Sequence, residues 1–119
     1  MSVAVAQTAV VDPKAQLGNG VRIGHFSVIG PDVKIEDGTQ VDEHVVITGH
    51  CTIGENNHLF PGTVIGAQPQ DTSYRETPTK VVIGDNNIFR EHCTVNRATE
   101  KEDGITEVGC DNYFMAGTH

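Results

Sequence analysis

At 119 residues, with no Trp, 5% aromatic residues and 13 Gly, the chain suits one small domain but lacks the large side chains that fill a helical bundle. Eight basic against sixteen acidic residues give a net charge of −8, which argues against general nucleic-acid binding through a cationic surface. The N-terminal stretch MSVAVAQTAV has neither a basic region nor a long apolar run, so neither a signal peptide nor a membrane span is expected.

From Val11 the chain steps by six through Leu17, Ile23, Ile29, Ile35, Val41, Ile47, Ile53, Leu59 and Ile65, an aliphatic residue at every step. Four places after most of these the residue is small or β-branched: Ala15, Val21, Ser27, Val33, Thr39, Val45, Cys51 and Thr63. A helix cannot use this spacing, because six residues at about 100° each scatter successive aliphatics over three faces. A strand can, because six is a multiple of the two-residue pleat. The Gly, Asp or Asn near each aliphatic supplies turn chemistry at the same interval. Strands this short leave too little chain for hairpins, so they must wind and stack on equivalents in the next turn. The expected fold is all-β, a single-stranded parallel β-helix. The usual crossover rule would make it right-handed.

After Ile65 the rhythm breaks over AQPQDTSYRETPTK, residues 67–80, which is expected to leave the coil as a loop. Hexads resume at Ile83, Phe89 and Val95, a second excursion covers about 98–107, and Val108 and Phe114 carry the last two hexads. The whole of 1–119 is therefore one coil with two ejected loops, and loops on a rigid coil are expected to form a binding face. Arg75, Lys80, Arg90, Arg97 and Lys101 crowd this part of the chain and leave room for a local anion site. Cys51, Cys93 and Cys110 have no CxxC spacing and are expected as buried thiols of a cytosolic protein.

The middle and end of the chain carry longer motifs. IG-x-x-x-Q-D precedes the first loop, E-T-P-T-K-V-x-IGD-N-N follows it, and F-R-E-x-x-T-V-N-R-x-T and VG-x-D-N-x-x-M-A-x-x-H complete the set. With these the chain resembles the N-terminal part of the bacterial UDP-N-acetylglucosamine O-acyltransferases, hexapeptide-repeat enzymes that begin lipid A biosynthesis. The resemblance implies a left-handed β-helix with three hexads per triangular turn. It also implies a cytoplasmic homotrimer with active sites between subunits. The implied reaction moves a 3-hydroxyacyl group from acyl carrier protein to the 3-hydroxyl of UDP-N-acetylglucosamine, with no metal or other cofactor. Such a transfer requires a general base for the hydroxyl proton and a donor for the oxyanion.

Residue by residue, the resemblance places Asp71 where the family's sugar-contacting aspartate lies and Gln70 beside it near the acyl chain. His119 matches the first histidine of the family's H-x-x-H, a pocket residue. The second, the catalytic base, would follow His119, so no catalytic residue is expected within 1–119 and these residues alone are expected to show no turnover and to be unstable or association-prone. Ser73 stands where well-known members have a substrate-contacting lysine, with Arg75 as a nearby substitute. Asn96 stands where some have histidine, and an asparagine can donate and accept but cannot take up the proton.

Two other readings compete. A related sugar N-acyltransferase shares the repeat and a histidine base, but is not expected to combine the Q-D loop with the F-R-E-x-x-T-V-N-R run. A non-catalytic β-helical assembly module has little use for ejected loops. The histidines at 25, 44, 50, 58 and 92 lack the spacing of β-helical zinc enzymes and are expected at the surface or at coil corners.

Overall fold

The computed structural model describes residues 3–67, 80–96 and 105–118, all as strands and turns with no helix. The strands form three parallel sheets, one for each side of a triangular coil. The first holds β1 (Ala4–Val5), β4 (Arg22–Ile23), β7 (Gln40–Val41), β10 (His58–Leu59), β13 (Ile88–Phe89) and β16 (Tyr113–Phe114). The second holds β2 (Val10–Val11), β5 (Val28–Ile29), β8 (Val46–Ile47), β11 (Val64–Ala67) and β14 (Thr94–Asn96). The third holds β3 (Gln16–Leu17), β6 (Val33–Ile35), β9 (His50–Ile53), β12 (Lys80–Ile83) and β15 (Ile105–Val108). Every strand pairs with the one three places on, so the chain winds as a left-handed parallel β-helix.

The six-residue step becomes three inward ladders. Ile23, Val41, Leu59 and Phe89 stack along the first side, Ile29, Ile47 and Ile65 along the second, and Ile35, Ile53 and Ile83 along the third, all at 3% exposure or less. The positions four places on fill the corners, where Val21, Ser27, Val33, Thr39, Val45, Cys51 and Thr63 are buried. Val11 and Leu17 are only partly buried, against the same cluster.

Polar residues finish one corner. Between the third and first sheets, Thr39, Asn57 and Asn87 are buried in a column that Asn112 continues. The Asn57 amide donates to the Gly84 carbonyl at 2.8 Å, and its oxygen accepts the Asn87 N–H at 2.8 Å. Asn87 repeats both bonds one turn on, to the Gly109 carbonyl and from the Asn112 N–H. Each asparagine thus satisfies a corner carbonyl and a corner amide that would otherwise be buried without partners.

The register shows where the repeat is interrupted. One turn below, β8 and β9 are joined by Thr48 and Gly49 alone, whereas twelve further residues, 68–79, stand between Ala67 and Lys80. Eight residues, 97–104, stand between Asn96 and Ile105. Lys80 nevertheless pairs with His50, and Ile105 with Lys80. Both interruptions therefore fall at the corner between the second and third sheets, one turn apart. Ala67, Lys80 and residues 105–107, assigned above to the loops, are strand, because their backbones complete ladders with the turns on either side.

Two further expectations change. Cys51 and Cys93 are buried free thiols, and burial pushes the Cys51 thiol up to about 12. Cys110 is exposed instead, because it takes the outer corner position held by Asp85 one turn earlier, where its Sγ accepts the Asp85 N–H at 3.2 Å. Of the clustered basic residues, Lys80 and Arg90 are described, and they stand on different sides of the coil, so they form no common anion site.

Candidate functional site

The corner between the second and third sheets is where the sequence candidates meet. Its inner positions are Val33, Cys51 and Val81, apolar side chains that cannot hold the corner backbone by hydrogen bonds. β11 ends there in a register shift between Ile65 and Ala67. Gly66 makes the shift possible with φ of +84°, and an added Cβ would press on the Thr48 carbonyl oxygen, which no side chain allows.

Ala67 pairs with Asn96, so the chain leading to Gln70, Asp71 and Ser73 departs directly beside the backbone of Asn96. The Thr94 N–H donates to the Thr118 carbonyl at 2.8 Å, which stacks the residue before His119 on the strand that carries Asn96. Gln70, Asp71, Ser73 and His119 themselves lie outside the described residues, as does the side chain of Asn96. The backbone thus anchors three separate segments of the sequence at one corner over successive turns. A cavity of about 290 Å³ adjoins them, lined by Phe89, Cys93, Val95, Val108 and Phe114 with Thr94, Thr106 and Thr118. Its walls continue the inward ladders, and the stacked Phe89 and Phe114 rings, 4.8 Å apart, belong to the core.

A second polar constellation, not singled out in the sequence, lies on the outside of the first sheet. Asp42 meets His58 Nε2 at 2.9 Å, and the His58 ring stacks on Phe60 at 4.1 Å. Arg90 caps the other face of Phe60 at 4.6 Å and donates to the Tyr113 hydroxyl at 2.7 Å and to Glu91 at 3.0 Å. The Tyr113 bond and the Glu91 carboxylate raise the Arg90 pKa. Glu91 is held below the ordinary glutamate range by its own backbone N–H and by Arg90. These contacts tie successive turns together from outside. His25, His44, His50 and His92 are exposed and His58 half-buried. Among the described residues no three His, Cys, Asp or Glu side chains converge as a metal site.

Known proteins match along nearly the whole chain. The bacterial transferase hexapeptide family (six repeats) matches residues 14–49 and 32–67. An acyl-[acyl-carrier-protein]–UDP-N-acetylglucosamine O-acyltransferase of Syntrophobacter fumaroxidans is 49% identical over 94% of this chain and 43% of its own length. The protein of the same name from Thermodesulfovibrio yellowstonii is 44% identical over 97% of this chain and 45% of its own. The solved structure of LpxA from Acinetobacter baumannii superimposes with a TM-score of 0.95 at 39% identity, over 97% of this chain and 45% of that one. The chain therefore spans less than half the length of the relatives it matches.

Proposed function

Because the chain belongs to the acyl-[acyl-carrier-protein]–UDP-N-acetylglucosamine O-acyltransferase family and matches the N-terminal part of its members, we propose that the protein carrying it performs that transfer. A 3-hydroxyacyl group passes from the thioester of acyl carrier protein to the 3-hydroxyl of UDP-N-acetylglucosamine, the first step of lipid A biosynthesis. The hydroxyl oxygen attacks the thioester carbonyl, its proton passes to a histidine base, and the carrier thiol leaves as the oxyanion collapses. In this reading Asp71 accepts hydrogen bonds from the sugar, Gln70 and Ser73 flank it, Asn96 supplies a neutral donor and acceptor, and His119 borders the pocket. The base is the histidine three residues beyond His119. The protein works in the cytoplasm, where its free thiols stay reduced, and assembles as a homotrimer with its sites between subunits.

One observation supports this reading above the others. Both interruptions of the coil fall at one corner, and that corner also carries Asn96 and the strand stacked under Thr118. A purely structural coil gains nothing from two insertions placed one above the other.

The test is acyl transfer by the full-length gene product, given 3-hydroxyacyl carrier protein with UDP-N-acetylglucosamine or a UDP-amino-sugar and read by mass spectrometry. O-acylated UDP-N-acetylglucosamine is expected, and Asp71→Ala is expected to lower kcat/KM by about 10- to 100-fold, the loss of a charge-assisted hydrogen bond. Acylation of the amino sugar alone, or an undiminished Asp71→Ala variant, contradicts the proposal.

A further inference from the structure

The outward faces of the three sheets differ sharply in chemistry. On the first sheet the outward column includes Arg22, Gln40, His58 and Tyr113, and on the third it includes Lys34 and Glu107. On the second sheet the same column reads Val10, Val28, Val46, Val64 and Thr94, paired in register through five strands without one charge. Val10 is 63% exposed and Val28 42%. At the edge of this face Phe26, 58% exposed, adopts φ of 60° and stacks on His44 at 5.2 Å. A bulky aromatic in the left-handed region costs on the order of 1–2 kcal/mol, and such strain collects at functional surfaces.

We infer that this valine face, with the Phe26–His44 edge, is the surface through which copies of this chain contact one another. The inference rests on the proposed trimer and specifies its contact. Charge selects the occupant. Copies that each carry −8 repel, and they approach most readily on a side that presents no charge. Area fixes the extent. Five strands at about 4.8 Å and a side of about 20 Å give roughly 480 Å², against about 800 Å² per partner in a stable interface. The contact must therefore continue round the corner over Phe26 and His44, which accounts for aromatic rings held there despite the strain.

Val28→Lys and Val46→Lys place a charge on the face without touching the core, and Val82→Lys does the same on the third sheet as a control. Sedimentation velocity on the full-length product is expected to show Val28→Lys and Val46→Lys at one-third of the parent mass, and Val82→Lys unchanged. Should the lysine variants misfold by circular dichroism, Val28→Thr and Val46→Thr serve instead and are expected to raise the dissociation constant about tenfold. A trimer that survives all four second-sheet variants overturns the inference, as does a parent protein that is monomeric at micromolar concentration. Loss of trimer with a hetero-partner still bound would assign the face to that partner and overturn it equally. Transfer activity measured in parallel separates the two proposals, since a trimer insensitive to these variants can still acylate UDP-N-acetylglucosamine.

Discussion

Two corners of the same coil carry opposite solutions to one problem. Between the third and first sheets the inner column is Thr39, Asn57 and Asn87, whose side chains latch the backbone of each turn to the next. Between the second and third sheets the inner column is Val33, Cys51 and Val81, which fill space and latch nothing. The coil runs without interruption through the first corner and is interrupted twice at the second. An insertion costs only loop closure where no side chain has to be released, and closure entropy rises slowly with length. The coil therefore keeps one rigid corner, and its extra chain, with the candidate substrate contacts, enters at the unlatched one.

The largest expected effect comes from exchanging these roles. A flexible insert of about twelve residues between Gly49 and His50, one turn below the natural interruption, is expected to cost about 1 kcal/mol. The same insert between Glu55 and Asn56 separates the Glu55 N–H and carbonyl contacts from the asparagine column. It is expected to cost about 4 kcal/mol or more, because several buried groups lose partners together. Urea unfolding of the two proteins gives the comparison, and equal costs would break it.

A smaller effect follows from single side chains. Asn87→Ala leaves the Gly109 carbonyl and the Asn112 N–H without their partner and is expected to destabilise by about 2–4 kcal/mol. Cys51→Val, at an inner position of the other corner, is expected to stay within about 1.5 kcal/mol. Thermal unfolding of both variants is the measurement.

The smallest effect is chemical. Cys110 is expected to react with a thiol reagent in the folded protein, while Cys51 and Cys93 react only after unfolding. Because burial raises the Cys51 pKa to about 12, its share of stability is complete below the ordinary thiol pKa near 9 and is lost as pH rises toward 12. Counting labelled thiols at pH 8 and following unfolding from pH 8 to 10 test the two halves.

The coil was legible because its core uses one rule, an aliphatic residue every six, and Ile23 through Ile65 obey it without exception. The asparagine column was not, since Asn57 and Asn87 read as turn residues when only small or β-branched side chains are sought four places on. Their role appears only when Gly84 and Gly109 come within reach. Cys110 escaped for the related reason that an outer corner position carries no apolar signature. The valine face repeats at eighteen residues, not six, so it emerges only once the turn length is fixed. Motifs marked the site residues, whereas their convergence depends on pairings such as Ala67 with Asn96, which no local spacing encodes.

Amide hydrogen exchange of the full-length protein with and without UDP-N-acetylglucosamine tests most directly that function is built on the unlatched corner. Added protection is expected in Val64–Ala67 and Thr94–Asn96, with none in residues 54–57 and 84–87. Protection confined to the asparagine corner, or to the edge carrying Phe26 and His44, would contradict the account.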